Sequence, residues 1–189
     1  MAIALIIVLL VVLAIVFYVV IIYNGLVSLK HNIDKAFSNI DVLLKQRFDE
    51  LPKLVSVCEG YMKHERETLE AVIKARSAVQ SAPAGPGKLQ AEGMLTNALK
   101  SLFAVSERYP ELKADKAFLS LQERVSELED QIADRREFYN DSVNTYNIRI
   151  EQFPDAMIAG MFSFTARELW KIDPADRADV KISFGAQQA

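Results

Sequence analysis

Hydrophobic residues recur every three or four positions along most of this chain, which is the spacing of one face of an α-helix. The chain begins with an apolar run, 2–22, that contains no charged residue and none of Ser, Thr, Asn, Gln, Gly or Pro. A helix of about 21 residues is about 31 Å long, close to the hydrocarbon core of a bilayer. The run predicts a membrane-spanning helix, not a cleaved signal peptide, because no Lys or Arg precedes it and its last residues are large.

Four more helical segments are predicted after this run. Asp49 and Pro52 interrupt the first stripe of apolar residues, and the Pro- and Gly-rich stretch 81–87 predicts a loop. The stretch RYPELKAD ends the third segment, and Asp115 is the predicted cap of the fourth. The stripes run from Leu26 to Phe48, from Leu51 to Val79, from Leu89 to Val105 and from Phe118 to Phe153.

The fourth segment is the longest and most regular, and it contains a repeated Tyr-Asn pair. Its apolar and aromatic residues fall at intervals of seven, which predicts a buried seam. On this seam Asn140 and Asn147 lie one step beside two tyrosines, so we expect them to bond across to a neighbouring helix and to fix its register. Tyr23 is expected at the same end of the domain. The seam residues are Phe118, Val125, Ile132, Tyr139, Tyr146 and Phe153.

These elements predict an all-α protein in which a transmembrane helix precedes an up-down four-helix bundle. A long kinked helical hairpin that self-associates is the alternative, because the fourth segment is about twice as long as the third. The predicted organisation is a transmembrane helix over 1–23, a helical bundle domain over 24–153, and an apolar, membrane-proximal tail with a flexible C-terminus over 154–189.

The tail carries apolar side chains that need cover. Both architectures return the end of the fourth segment to the bilayer. We therefore expect these side chains to touch the membrane interface or a neighbouring subunit, with a flap over the base of the bundle as the alternative. They are Met157, Ile158, Met161, Phe162 and Trp170.

Composition and motifs exclude several functions. The formal charge of −3 disfavours nucleic-acid binding, which needs a basic face. The one cysteine, Cys58, excludes an intrachain disulfide and is expected to be a buried, inert thiol. His64 begins a stretch that starts like the zinc motif HExxH, but Thr68 occupies the place of the second histidine. We therefore expect no catalytic residue, no metal site and no cofactor.

Some charged residues fall on the apolar stripes, where uncompensated burial costs several kcal/mol. We expect them to form a buried layer of ion pairs that sets the register of the helices, with Glu65 paired to Arg135. A ligand-binding or proton-sensing site is one alternative, and side chains that reach out to solvent are another. The residues are Arg47, Glu65, Arg76 and either Arg135 or Arg136.

Long collinear stretches resemble the LemA family of bacterial membrane proteins. They include YNGLVSL, IDVLLKQRFDELPKLV, GYMKHERETLE, LFAVSERYPELKAD, FYNDSVNTYN and FPDAMIAGMF. The resemblance covers the chain from the apolar run to about Phe164. It implies a membrane helix followed by a four-helix domain, and it carries over no catalytic residues.

We therefore expect a non-enzymatic, membrane-anchored scaffold or adaptor that self-associates. A membrane-tethered sensor or regulator that binds a ligand or a partner protein through its bundle is the alternative. The expected partners are the lipid bilayer, further copies of the chain and a membrane or cytoplasmic protein, with no nucleic acid. Lys30 and Lys35 follow the apolar run, so the C-terminal domain is expected on the cytoplasmic side of a bacterial inner membrane.

Overall fold

A computed structural model describes residues 1–82 and 86–170 of the chain. Its regular secondary structure over these ranges is helical, which confirms the all-α class. The predicted flexible C-terminus, 171–189, and part of the predicted loop, 83–85, lie outside the described residues. The helices are α1 (Ala2–Tyr61), α2 (Arg66–Ser81), α3 (Pro86–Ser106), α4 (Pro110–Ala114), α5 (Lys116–Glu151) and α6 (Asp155–Met161).

Helix α1 continues through Pro52, where the sequence predicted a break, and that prediction is wrong. Proline lacks the N–H that would bond to the carbonyl of Phe48. The Nε of Arg76, on α2, donates to that carbonyl at 3.4 Å, and the guanidinium carbon of Arg76 lies 3.9 Å from the centroid of the Phe48 ring. Arg76 thus offsets the missing bond, and the chain reverses at 62–65 instead.

The half of the domain far from the apolar run is a four-helix bundle. The end of α1 and the start of α5 pack there against α2 and α3 around one core. Its successive helices alternate in direction, as in the predicted up-down bundle, but its first helix is the end of α1 and not the predicted segment from Leu26 to Phe48. Buried core residues from the four helices include Leu51, Cys58, Val72, Leu95, Leu102, Phe118 and Val125.

Nearer the apolar run, α1 and α5 pack as a pair. Helices α2 and α3 have 16 and 21 residues, or about 24 and 31 Å, whereas the 36 residues of α5 span about 54 Å. The short helices therefore cannot cover the whole length of α5. The long hairpin weighed as the alternative describes this half, in which Ile33 and Ile40 of α1 pack against Val143 and Ile132 of α5.

The seam and the cap predicted for α5 are largely confirmed. Phe118, Val125, Ile132 and Tyr146 are buried, and Tyr139 is half-buried. The carboxylate of Asp115 accepts from the backbone N–H groups at 117 and 118, at 2.8 and 3.0 Å, and so caps the helix. The seam prediction is wrong for Phe153, which is 81% exposed, because α5 ends at Glu151.

After α5 the chain turns back along the domain. Helix α6 lies against α1, where Ile158 and Ala159 pack with Ile22 and Leu26. Ser163 has a φ of 57°, in the left-handed region, and leads into a non-helical segment. We call this segment, 164–170, the strap.

Candidate functional site

The strap is held by the two asparagines of the Tyr-Asn repeat. The side chain of Asn147 accepts from the backbone N–H of Arg167 at 2.8 Å and donates to the carbonyl of Arg167 at 2.9 Å. Asn140 makes the same two bonds with Trp170, at 2.7 and 3.1 Å. Each amide therefore satisfies both backbone polar groups of one strap residue.

The two tyrosines of the repeat complete the contact. The hydroxyl of Tyr146 donates to the carbonyl of Thr165 at 3.1 Å, and that of Tyr139 donates to the carbonyl of Glu168 at 3.2 Å. Burial raises the pKa of both phenols above its ordinary value of 10.0. Both hydroxyls therefore keep the proton that they donate throughout the physiological pH range.

The interval of seven in the helix matches a step of three in the strap. Seven helical residues rise about 10.5 Å, and three residues of extended chain span about 10 Å. Each Tyr-Asn pair consequently meets the strap at an equivalent position, and the strap runs antiparallel to α5. The six hydrogen bonds of the two pairs go to backbone atoms of the strap.

The expected partner of the two asparagines was wrong. They do not bond to a neighbouring helix, because the interhelical space beside α5 is taken by the strap. Tyr23, expected at this end, reaches the chain that leads into and begins the strap: its ring centroid lies 4.7 Å from that of Phe162 and 5.8 Å from that of Phe164.

The strap ends in a pocket that buries the indole of Trp170. Its exposed fraction is 4%, and it packs with Ile40, Leu44 and Ile132. The guanidinium carbon of Arg136 lies 4.8 Å from the centroid of its ring, within the range of a cation–π contact. Trp170 is therefore the main apolar anchor of the strap.

A cavity of about 710 Å³ lies between α1, α5 and the strap. Lys30 and His31 line it from α1, and Tyr139 and Tyr146 line it from α5. Its position a few turns beyond the apolar run places it near the surface of a bilayer that the run would span. The cavity is thus a membrane-proximal space with aromatic walls and basic side chains.

Some apolar side chains of the tail pack against the chain itself, as a flap would, and others are exposed. Ile158 and Trp170 are buried within the chain, as the alternative of a flap required. Met157, Met161 and Phe162 are 65%, 72% and 49% exposed, so they remain available to lipid or to another subunit.

A second constellation is a buried charged layer in the distal bundle. Arg47 of α1 is fully buried and forms ion pairs with Glu92 of α3 and Glu129 of α5. Its Nη1 also donates to the hydroxyl of Thr96 at 3.0 Å, and that hydroxyl donates to Glu129 at 3.1 Å. Burial raises the pKa of the Glu92 carboxyl, while the charge of Arg47 acts in the opposite direction.

A buried charged layer exists around Arg47, but Glu65 and Arg76 do not belong to it, and the expected pair of Glu65 and Arg135 is wrong. Glu65 lies at the distal turn, where it accepts from Arg108 and Tyr109, each at 3.0 Å. Arg135 is exposed and lies about 29 Å along α5 from that end. Opposite charges on the apolar stripes of two helices can pair only if both residues lie at the same position along the bundle axis.

The acidic members of the layer were missed by the sequence reasoning. Glu92 is 1% exposed and falls on the apolar stripe of α3, three and seven residues before Leu95 and Leu99. Glu129 directly follows the buried Leu128. A search for carboxylates on all stripes would have found Glu92, whereas the position of Glu129 beside the seam gives a weaker indication.

We predict that Cys58 does not react with thiol reagents in the folded protein. It is fully buried in the distal core, and burial raises the pKa of its thiol to about 11. The thiolate, which is the reactive form, is therefore scarce at pH 8. Maleimide labelling followed by mass spectrometry should show label only after denaturation, and rapid labelling of the native protein would contradict the burial.

Fold and site together define a membrane-associated helical protein. Among the described helices, α1 contains a window long and apolar enough to cross a membrane, and 6% of that window is buried. The family model described as the LemA family matches residues 36–184. This chain belongs to the LemA family, as the resemblance indicated.

The chain is similar to proteins named as magnetosome proteins and as LemA. The chain is 27% identical over 179 residues to "Magnetosome protein MamQ 2" of Paramagnetospirillum magneticum, an alignment that covers 81% of this chain and 66% of the relative. It is 25% identical over the same length to "Magnetosome protein MamQ" of Magnetospirillum gryphiswaldense. It is 28% identical over 164 residues to "Protein LemA" of Metamycoplasma hominis, which covers 85% of this chain and 74% of the relative. The chain thus spans 66% of the length of the magnetosome relatives, just under two thirds.

Proposed function

We propose that this chain is a non-enzymatic, membrane-anchored scaffold whose copies associate and which holds a partner protein at a fixed distance from the bilayer. The continuity of α1 carries the proposal. The same helix forms the apolar run and, at Leu51 and Cys58, the core of the distal bundle. From Tyr23 to Tyr61 it rises about 57 Å, so the bundle cannot move independently of its anchor.

Two further observations support a role without chemistry. The buried guanidinium of Arg47 is paired with the carboxylates of Glu92 and Glu129, so these charged groups are used within the bundle. The names of the relatives reported above are not those of enzymes. The formal charge of −3 supports a protein partner over a nucleic acid.

The strap face is the surface we propose for association between copies. Apolar side chains surround the open cavity there: Phe37 is 38% exposed, Leu169 is 46% exposed and Phe162 is 49% exposed. Exposed apolar groups that cluster around a concavity are typical of protein contacts. Anchors in one bilayer hold this face at the same height in each copy, which favours a two-fold contact.

Crosslinking from single cysteines tests this surface. In a Cys58→Ala background, Ala166→Cys places one thiol on the exposed strap, and Val42→Cys is the matched control. Val42 is 57% exposed on the opposite side of α1, two residues from both Ile40 and Leu44. We expect a short bismaleimide to give dimers through position 166 and few through 42 in intact membranes. Equal yields at the two positions would contradict the assignment.

The proposed orientation places the C-terminal domain in the cytoplasm at a bacterial inner membrane. Lys30 and Lys35 on the C-terminal side of the apolar run support it. The Val42→Cys protein tests it, because a membrane-impermeant maleimide should label inside-out vesicles and spare right-side-out ones.

A membrane-tethered regulator is the second candidate, and the cavity beneath the strap favours it. Its volume of about 710 Å³ suits a small molecule, and Lys30 and His31 supply groups for a polar or anionic one. Native mass spectrometry from membrane discs would detect such a ligand as a constant additional mass.

A further inference from the structure

We infer that the cavity between α1, α5 and the strap binds the phosphate-bearing headgroup of an anionic phospholipid, whose acyl chains stay in the bilayer. This inference gives a ligand class to the second function proposed above, a membrane-tethered regulator, and rests on it. It does not depend on the association of copies. The volume of the cavity, about 710 Å³, is within the usual range of small-ligand sites.

The position of the cavity matches that of lipid headgroups. One face of α1 lines it with Tyr23, Val27, Lys30 and His31, directly after the apolar run. Lys30 lies about 10.5 Å beyond Tyr23 along the helix axis, and the headgroup layer extends about 5–7 Å beyond the hydrocarbon core. Because helical side chains tilt towards the N-terminus, that of Lys30 points back to the bilayer and can place its ammonium group in this layer.

Lys30 supplies the charge that binds a phosphate diester. Its ammonium group forms no hydrogen bond or ion pair with any residue that the structure describes. The imidazole of His31, beside it, offers a ring N–H in either protonation state. Arg167 also lines the cavity, but its Nη2 lies 3.6 Å from the Oδ1 of Asp34 and is partly engaged. Lys30 and His31 are thus the groups that we assign to the phosphate.

The order of charges along the cavity favours an anionic headgroup over a zwitterionic one. Asp34 lies one turn beyond Lys30, so its partner Arg167 is the next basic group of the wall. Glu168 lies at the level of Tyr139, farther from the bilayer. The ammonium of a choline or ethanolamine headgroup would therefore lie beside a guanidinium before it could reach a carboxylate. A headgroup that ends in hydroxyl groups meets no such repulsion.

The bilayer side of the cavity is aromatic and borders exposed apolar side chains. The rings of Tyr23 and Phe162 line the cavity, with 4.7 Å between their centroids. Met161 of α6 is 72% exposed, and α6 packs against Ile22 at the end of the apolar run. Aromatic rings are enriched at this depth of a membrane. The acyl chains of a lipid whose phosphate lies at Lys30 therefore continue along an apolar surface into the bilayer.

The test measures which lipids remain on the full-length protein after its release from discs of equal parts phosphatidylglycerol and phosphatidylcholine. Native mass spectrometry records the lipids retained on each copy. Lys30→Gln removes the proposed phosphate ligand. Lys35→Gln is the matched control, since Lys35 is also exposed but lies on a different face of α1. Val27→Phe is a second variant, which narrows the cavity without removing a charge.

We expect wild type and Lys35→Gln to retain phosphatidylglycerol in preference to phosphatidylcholine. Lys30→Gln and Val27→Phe should lose this retention several-fold, with the emission of Trp170 unchanged because the strap stays in place. Equal retention by the two lysine variants, or equal retention of the two lipids by wild type, would overturn the inference. Displacement of the lipid by added inorganic phosphate would also overturn it, because the site would then bind a free anion.

The same spectra separate this inference from the functions proposed above. A constant additional mass that is not a phospholipid would overturn the lipid assignment and leave a regulator with another ligand. The absence of any retained mass would remove both the lipid and the regulator. Crosslinking through Ala166→Cys reports on the association of copies independently of either result.

Discussion

Replacing Arg47 by methionine is expected to lower the free energy of unfolding by about 3–5 kcal/mol, the usual cost of removing one partner from a buried ion pair. Glu92, which is 1% exposed, would lose its counter-charge, and Thr96 would lose a donor. Denaturant unfolding of the detergent-solubilised protein, followed by far-UV circular dichroism, measures the change.

The loss should depend on pH in a defined direction. Burial already raises the pKa of Glu92, and without Arg47 it rises further. A carboxyl whose pKa is raised on folding stabilises the fold below its ordinary pKa, here 4.5, and loses that contribution as pH rises through the folded value. The deficit of the variant relative to wild type should thus be largest near pH 7 and shrink towards pH 4.

The matched control replaces the whole layer. Arg47→Met combined with Glu92→Leu and Glu129→Leu removes the charges together, and such apolar replacements are often neutral or stabilising. We expect this protein to be more stable than the single variant. If Arg47→Met alone unfolded like wild type at both pH values, the layer would not contribute to stability as described.

The double variant Asn140→Leu, Asn147→Leu is expected to release the strap while the distal bundle stays folded. Two residues of the strap would lose the partners of their N–H and carbonyl groups, at about 1–3 kcal/mol for each unsatisfied group. The strap would leave instead of remaining unpaired, since its released backbone groups can then bond to water. The distal core between Leu51 and Val125 does not include strap residues, so its unfolding should change little.

Trp170 reports this release directly, because it is the only tryptophan of the chain. Its emission should shift to the red and become more accessible to acrylamide in the double variant. Asn144→Leu is the matched control, an exposed asparagine on the same helix between the two. Unchanged emission in the double variant would contradict the clamp.

The sequence predicted most of the helices because each of them buries one face, and the apolar residues of that face recur every three or four positions in the sequence. It predicted neither the path of α1 through Pro52 nor the role of Arg76, since the carbonyl of Phe48 finds a donor 28 residues away in the chain. The failed pairing of Glu65 has a related cause. The position of a residue along the bundle axis depends on where the chain turns, and the sequence placed the turn near Pro52 instead of at 62–65.

The Tyr-Asn repeat shows how far such reasoning extends for the candidate site. The interval of seven correctly placed Tyr146 on the seam and the asparagines at its edge. It could not identify their partner, because a segment without regular structure has no period of its own. The repeat thus indicates a surface that binds something at a spacing of about 10 Å, and the three-residue step of an extended chain supplies that spacing.

We propose that this membrane-anchored chain functions as an assembly of copies. Counting subunits tests it most directly. The full-length chain, labelled once per copy through a C-terminal fusion, is extracted into native-lipid discs at low expression, and photobleaching steps are counted for single discs. Most discs should contain two or more copies, and the crosslink through Ala166→Cys should join copies within them. A population of discs that each hold one copy would contradict it.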